Sequence, residues 1–384
     1  MELQVQIDDV TACPGRCPGC ALSPEERKSP DPDMSADVLV GVSSAVAAYA
    51  RELQPDSVNV TFGIADHLMM GSQYVRDIYR VVATDLASAG YSGESAIVFF
   101  STSMIANERR AKEQIETLTT FERVAGIDLI PVVVLDPQNL RHKTLGPQWR
   151  SYVDLANKSF GRIDLALNLS SAACSLITPL EILDYVREFG FQEVTINWTP
   201  TDGNLKSTAS DMPALVGWLI DFADRADARG VSYSYGPVMS RAAHSVMCRL
   251  DGVALSEVVD TVVDKTIRHS IHVDADGSLY PKFEAIGDIP HSPRFGYSAL
   301  GNVLNQSISS ILDESLDMVK RRIMTEHFRD RRCVGCKYLN VCATTGFHAY
   351  SHVLEGRYGN SSCPHVARAL WDQTFVSMED PEAA

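Results

Sequence analysis

The feature that most constrains the fold is an alternation of short β-branched segments with longer amphipathic segments, running from residue 3 to residue 236. A strand-like period alternates with a helical period along this stretch, and glycines follow several helical segments. The predicted strands are LQVQIDD, SVNVTFG, AIVFF, DLIPVVVLD, RIDLALNLS, EVTINWTP and VSYSYG. Repeated β-then-α connections favour right-handed crossovers and a parallel sheet. The sequence therefore predicts an α/β fold, a partial (β/α)6 TIM-like barrel, with active groups at the carboxyl ends of its strands.

The pattern changes near residue 270, and a chain of 384 residues exceeds one typical domain. HVDADGSLYPKFEAIGD predicts a hairpin that turns at Asp276 and Gly277, and SISSILDESLDMVKRRIM predicts a helix. We predict a barrel over residues 1–235, a connecting segment over 236–270 and a small carboxyl-terminal domain over 271–384.

Charge and hydropathy exclude several classes of protein. The formal net charge of −15 argues against a nucleic-acid partner, which needs a basic surface. No apolar run has membrane-spanning length, and MELQVQIDDV carries acids where a secretory signal needs a basic start. We therefore expect a cytoplasmic protein with no membrane partner, whose acidic surface favours cationic small molecules.

Cysteines cluster at the two ends of the chain, and in the cytoplasm such clusters favour metal binding or redox chemistry over disulfides. TACPGRCPGC, directly after the first predicted strand, carries Cys13, Cys17 and Cys20. A structural zinc site takes four protein ligands, and this loop supplies three. A [4Fe-4S] cluster bound by three thiolates keeps one iron open to a substrate or a cofactor.

This C-x3-C-x2-C spacing at the first loop of a βα barrel resembles the radical S-adenosylmethionine superfamily. The resemblance implies that the open iron binds S-adenosylmethionine (AdoMet), and that reductive cleavage gives a 5′-deoxyadenosyl radical that abstracts a hydrogen atom. It also implies an external one-electron reductant of the flavodoxin or ferredoxin type. The sequence departs from the superfamily at Gly19, where an aromatic residue usually precedes the third cysteine.

The second loop departs as well, because FGIADHLMM stands where a Gly-Gly-Glu run is usual. The resemblance assigns to Gly63 a close backbone approach to the AdoMet amino group, and to Asp66 the acid that contacts it. The alternatives are a solvent-exposed Asp66 and a packed or hydrogen-bonded His67.

Polar residues at the ends of strands five and six are the superfamily's further cofactor contacts. The matching candidates are Asn168, Ser170, Asn197 and Thr199. Each is also a common turn or capping residue.

The second cysteine group is RRCVGCKYLNVC with a distant SSCP. From spacing alone, zinc remains an alternative. The tail resembles the SPASM/twitch extensions, which implies a small auxiliary iron-sulfur domain and a second [4Fe-4S] cluster held by four cysteines. These are Cys333, Cys336, Cys342 and Cys363. Lys282 and the segment 343–346 stand where a full SPASM domain has further cysteines, so we predict two clusters in all.

Cys174 and Cys248 belong to neither group, and buried free cysteine is the simpler interpretation of each. The S–H bond is weaker than an alkyl C–H bond, so a thiol can return a hydrogen atom to a carbon radical. Abstraction from one face and return to the other gives epimerisation, with Cys248 the first donor candidate and Cys174 the second. This layout resembles the aminoglycoside-tailoring epimerases of the superfamily.

Several functions therefore remain open. Epimerisation of an aminoglycoside or related product is the first, and we expect no leader-binding module before the barrel. Carboxylates at Asp202, Asp251 and Glu284 are candidate ammonium ligands, or else surface acids. The alternatives are a maturase of ribosomal peptides or sulfatases, a small-molecule dehydrogenase with the auxiliary cluster as electron acceptor, and a non-catalytic metalloprotein.

Overall fold

The structure is a computed structural model that describes twelve stretches of the chain. These are residues 1–9, 34–63, 66–67, 72–104, 108–139, 146–197, 212–234, 252–281, 298–329, 333, 335–340 and 371–372. The strands are β1 (Glu2–Ile7), β2 (Ser57–Phe62), β3 (Gly93–Thr102), β4 (Ile127–Leu135), β5 (Asp164–Asn168), β6 (Glu193–Asn197), β7 (Ser232–Ser234), β8 (Ser270–Val273), β9 (Ser278–Pro281) and β10 (Gly301–Asn302). The helices are α1 (Ala36–Leu53), α2 (Ser72–Ser88), α3 (Glu108–Ala125), α4 (Gly146–Phe160), α5 (Ser171–Cys174), α6 (Pro179–Phe189), α7 (Met212–Arg229), α8 (Leu255–Val258), α9 (Asp264–His269) and α10 (Ile308–Arg329), with a π-helical turn at Val259–Val263.

Strands β1 to β7 lie side by side in chain order, and every neighbouring pair is parallel. Strand β2 buries one face: Val58, Val60 and Phe62 are fully buried, whereas the residues between them are partly exposed. The buried face packs on the helices, since the Phe62 ring meets the Tyr79 ring of α2 at 5.0 Å. The predicted α/β barrel is therefore confirmed.

The predicted hairpin forms, and its first strand extends the barrel sheet. β8 pairs in parallel with β1, β9 pairs antiparallel with β8, and Gly277 turns between them at φ +82°. A positive φ is the conformation that glycine adopts at little cost. The domain limits at 235 and 271 stay a prediction, but the sheet runs across them.

Helix α4 is the longest described element that the sequence analysis missed. Its apolar residues Trp149, Tyr152, Val153 and Ala156 are buried and follow a helical spacing. The short polar segment before this helix makes its apolar spacing harder to recognise in the sequence. The adjacent helix α6 was predicted, and it begins with a capping box between Thr178 and Glu181 and with Pro179 in its first turn.

The starts of β5 and β6 bring two acids together, because Asp164 and Glu193 occupy neighbouring register positions. Burial, followed by the charge of Asp164, raises the pKa of Glu193, although Arg162 opposes the shift. An acid with a raised pKa binds more protons in the folded state, so its contribution to stability falls as the pH rises through that pKa. Ionised Glu193 is therefore destabilising at neutral pH.

We expect Glu193→Gln to raise the free energy of unfolding at pH 7 and to lose this advantage as the pH falls toward the ordinary glutamate range. Urea unfolding at several pH values measures the difference. Glu94→Gln, at an exposed position of β3, is the matched control and should show no such trend. A difference that grows on acidification would contradict the assignment.

Candidate functional site

The segment with Cys13, Cys17 and Cys20 is called the cysteine loop here. Its root, the described residues Asp8, Asp9 and Met34 on either side of it, lies at the carboxyl edge of β1. The Asp8 amide donates to the Val273 carbonyl at 2.9 Å, which continues the pairing of β1 with β8. The Met34 amide donates to the Asp9 carbonyl at 2.7 Å. Asp9 and Met34, the described residues on either side of 10–33, therefore lie together at this edge. Cys13, Cys17 and Cys20 lie outside the described residues, and their role as cluster ligands stays a prediction.

A buried imidazole and carboxylate meet on the helix side of this root. His67 Nε2 lies 3.3 Å and 3.4 Å from the two Asp9 carboxylate oxygens, and both side chains are fully buried. Burial opposes protonation of His67, but the charge and hydrogen bond of Asp9 outweigh it and raise the pKa of His67. His67 is therefore a packed, hydrogen-bonded histidine, in line with the simpler interpretation of the sequence.

A second pair lies on the opposite face of β1. His272 Nε2 lies 3.0 Å from Asp8 Oδ2, and these side chains are also fully buried. The Gln6 amide donates to Asp8 Oδ1 at 3.0 Å, which fixes the carboxylate from the strand side. Sequence analysis missed both aspartates and His272; the signal is two consecutive acids directly after a strand in which apolar and polar residues alternate.

Gly63 is required by packing at this root. Its φ is +52°, and a Cβ there would lie 2.7 Å from Asp9 Oδ1 and 3.1 Å from His67 Cε1. Its amide donates to the Ile7 carbonyl at 2.8 Å. The space beside Gly63 is thus filled by the Asp9–His67 pair. Its predicted approach to AdoMet stays a prediction.

Gly63→Ala should lower the free energy of unfolding by about 2–4 kcal/mol, through the left-handed backbone and the contact with Asp9. Gly161→Ala is the matched control: its φ is +73°, but nothing lies within 4 Å of its added Cβ. The free energy of unfolding of that variant should fall by about 1–2 kcal/mol, which is the cost of the left-handed backbone alone. Chemical denaturation measures both, and equal losses would contradict a packing role for Gly63.

Asp66 is held by the end of β3 and is not a solvent-exposed acid. Its carboxylate accepts hydrogen bonds from Thr102 Oγ1 at 2.8 Å, from the Ser103 amide at 3.1 Å and from Ser103 Oγ. The side chain is buried. These contacts fix both oxygens, and the contact of Asp66 with AdoMet stays a prediction.

The predicted polar residues of β5 and β6 lie together. Asn168 and Asn197 are register partners, with Asn197 Nδ2 at 3.5 Å from Asn168 Oδ1. Ser170 caps α5, accepting from the Ala173 amide at 3.1 Å, and receives a hydrogen bond from Gln138 Nε2 at 2.9 Å. Gln138 follows β4 and was not predicted. Thr199 lies outside the described residues, and AdoMet binding by the other three stays a prediction.

Cys174 ends α5, on the same carboxyl edge of the sheet. It is a free, partly buried thiol whose amide donates to the Ser170 carbonyl at 3.0 Å. Burial raises the pKa of Cys174 to about 12. The group is therefore a protonated thiol at neutral pH. Cys248, with Asp202, Asp251 and Glu284, lies outside the described residues.

Two of the four tail cysteines fall in the described part of the chain. Cys333 and Cys336 are partly buried thiols that form no disulfide among the described residues, and the Cys336 amide donates to the Cys333 carbonyl at 3.0 Å. Gly335 turns between them at φ +77°. The spacing of the two cysteines on this tight turn is that of C-x2-C metal sites. Cys342 and Cys363 lie outside the described residues, so the second cluster stays a prediction.

Solved structures share this architecture. The protein anSMEcpe, solved with bound AdoMet, superposes with a TM-score of 0.62 at 13% identity over 98% of this chain and 97% of that chain. The same protein with AdoMet and the Cp18Cys peptide gives 0.62 at 13% identity over 99% and 97%. SuiB of Streptococcus suis bound to its precursor peptide SuiA gives 0.52 at 12% identity over 89% and 71%.

The chain has the fold of these solved structures. At these identities the likeness establishes the fold alone, and it confirms the predicted α/β barrel. No family profile and no curated protein matched the sequence. Among the described residues, no helix is long and apolar enough to cross a membrane.

The donor set of the segment with Cys13, Cys17 and Cys20 suits an iron-sulfur cluster. Its described flanking residues, Asp9 and Met34, are hydrogen-bonded to each other at the carboxyl edge of β1. Three thiolates on one loop are the donor set of a cluster with an open iron. The described residues also put amide, hydroxyl and thiol groups on the same edge at Asn168, Ser170 and Cys174.

Proposed function

We propose that this protein is a radical S-adenosylmethionine enzyme. The observation that carries the proposal is the three-cysteine loop rooted at the carboxyl edge of β1, in a fold shared with a protein solved with bound AdoMet. Cys13, Cys17 and Cys20 would hold a [4Fe-4S] cluster with an iron open to AdoMet. A second [4Fe-4S] cluster would be held by Cys333, Cys336, Cys342 and Cys363. The cofactors would supply the 5′-deoxyadenosyl radical for hydrogen abstraction, given one electron from a flavodoxin or ferredoxin type of reductant.

We propose further that the enzyme epimerises a carbon of an aminoglycoside or related natural product. A protonated thiol beside the substrate is the group that this outcome requires from the chain. The thiol would give a hydrogen atom to the substrate radical, and the thiyl radical left behind would become a thiol again by taking one further electron, through the auxiliary cluster, and one proton. Cys174 meets the chemical part of that requirement, because its raised pKa keeps the S–H bond intact at neutral pH. Cys248 remains the first candidate from the sequence.

The accessible face of the sheet supports a polar substrate. Its partly exposed positions on β2, β5 and β6 carry amides and hydroxyls: Asn59, Thr61, Asn168, Thr195 and Asn197. Ser270 Oγ and Asn59 Oδ1 flank β1 in register and are buried without a hydrogen-bond partner among the described residues. Such groups favour ligands rich in hydroxyls and amines.

The overall charge of −15 supports a cationic substrate in the same way. An acidic protein attracts polyamines and repels acidic ligands, and it does so more strongly at low ionic strength. An aminosugar with several ammonium groups is both rich in polar groups and positively charged.

Peptide modification is the second candidate. It is favoured by the likeness to anSMEcpe with the Cp18Cys peptide and to SuiB with SuiA. A peptide substrate would require an extended binding surface beyond the polar face described above.

Turnover in deuterated water tests the proposal. Anaerobically reconstituted protein should bind about eight irons, as two clusters require, and cleave AdoMet on reduction. With an aminoglycoside substrate, the epimer should carry one deuterium at carbon, because thiol protons exchange with solvent. A dehydrogenase would give an oxidised product without that deuterium, and a maturase would leave the sugar unchanged. Intact AdoMet under strong reductant would remove the proposal.

A further inference from the structure

The exit of β1 carries two consecutive aspartates whose side chains reach opposite faces of the sheet. Asp9 lies on the helix side, where its partner His67 packs beside Phe62 and Tyr79. Asp8 lies on the opposite face with Gln6 and His272. Successive residues of an extended chain alternate in this way. The four ionisable side chains of the two pairs are all fully buried.

Fully buried charged groups persist only when they are paired, because each isolated ion loses its hydration. The two pairs therefore bind β1 to both of its neighbours. His67 follows β2, and His272 belongs to β8 of the carboxyl-terminal hairpin. Main-chain hydrogen bonds from Gly63 to Ile7 and from Asp8 to Val273 accompany them on the two sides.

The pairs act where the direction of the loop is set. Asp9 is the last described residue before the three-cysteine segment. Its carbonyl accepts a hydrogen bond from the amide of Met34, the first described residue after that segment. A rotation of the Asp8 or Asp9 main chain would turn both ends of the loop together. Two lateral side-chain contacts, Asp9 with His67 and Asp8 with His272, oppose that rotation.

We propose that His67 and His272 are positioning residues that fix the direction in which the cysteine loop leaves β1. Through His272, the carboxyl-terminal hairpin then takes part in placing the loop of the amino-terminal cluster. The functional consequence rests on the proposed radical chemistry, whereas the positioning itself is a property of the chain.

The test compares His67→Gln and His272→Gln with two controls. His269→Gln changes the histidine immediately before β8, whose ring lies 2.8 Å from the Lys265 carbonyl. Val60→Ala removes a fully buried methyl pair from β2 and lowers stability without touching the root of the loop. It separates general destabilisation from positioning.

The first measurement is the rate of tryptic cleavage after Arg16, Arg27 and Lys28, all within the loop, followed by mass spectrometry. In reconstituted protein we expect at least about a tenfold increase for both histidine variants, because losing the pair lowers the cost of local opening. His269→Gln and Val60→Ala should stay near the parent rate. Histidine variants at the parent rate would overturn the proposal.

The second measurement is the change that AdoMet makes to the electron paramagnetic resonance signal of the reduced cluster. We expect this change to be lost or altered in His272→Gln and retained in Val60→Ala of similar stability. If His272→Gln does not fold, Asp8→Asn keeps the side-chain shape and should still raise the cleavage rate about threefold. A parent rate in Asp8→Asn would then overturn the proposal.

Failure of the proposed function and failure of the positioning proposal are distinguishable. A parent protein without a cluster at the three cysteines removes the proposed function, and the same tryptic comparison on that protein still decides the positioning role.

Discussion

Cys17→Ala is expected to abolish reductive cleavage of AdoMet and to lower the iron content from about eight to about four per chain. Loss of one thiolate leaves two protein ligands on the loop, too few to retain a cluster with a single open iron. The tail cysteines are distant in sequence and should keep their own cluster. Iron analysis, the visible spectrum and detection of 5′-deoxyadenosine after reduction measure the three effects.

Cys336→Ala is the matched control for this prediction. It lies on the turn with Cys333 and should remove the other half of the iron, leaving AdoMet cleavage in the absence of substrate in place. Each variant thus reports on one cluster. A Cys17→Ala protein that still cleaves AdoMet, or a parent that carries zinc at the loop, would contradict the assignment of the three cysteines.

The sheet and most helices could be predicted because their signals are local. Val58, Val60 and Phe62 alternate with polar residues, and the helices on either side repeat apolar residues at helical spacing. The placement of β8 beside β1 is not local, since Gln6 and His272 are far apart in sequence and adjacent only through the register. No period or turn signal encodes such a pairing.

The same limit applies to the site. Cysteine spacing is a strong local pattern, whereas Asp8 and Asp9 resemble ordinary surface acids until the fold buries them. His67 was predicted as packed or hydrogen-bonded, but its partner across the first loop was not. Asp66 was a candidate from the sequence, but its hydrogen bonds to Thr102 and Ser103 were not predicted, because they depend on how β3 ends. Residues that act through partners on other strands require the tertiary structure.

The second large effect is expected for the hydrogen donor. In deuterated water, alanine at the donor cysteine should leave formation of 5′-deoxyadenosine in place and abolish the deuterated epimer, because the substrate radical no longer meets an S–D bond. If the donor is Cys174, Cys174→Ala should show this split, and Cys248→Ala should show it if Cys248 is the donor. Each variant is therefore the control for the other.

The pH dependence of the same assay gives a second measurement, because it reports the ionisation of the donor thiol. A donor must carry its proton, and burial raises the pKa of Cys174 to about 12, so a Cys174-dependent epimerisation should not fall between about pH 7 and pH 9 through loss of the thiol proton. A donor with an ordinary cysteine pKa would lose the S–H bond across that range, and the deuterated epimer would decline relative to 5′-deoxyadenosine. A flat ratio that persists in Cys174→Ala excludes Cys174. Epimer retained in both variants would remove the thiol mechanism, since the remaining seven cysteines are the proposed cluster ligands.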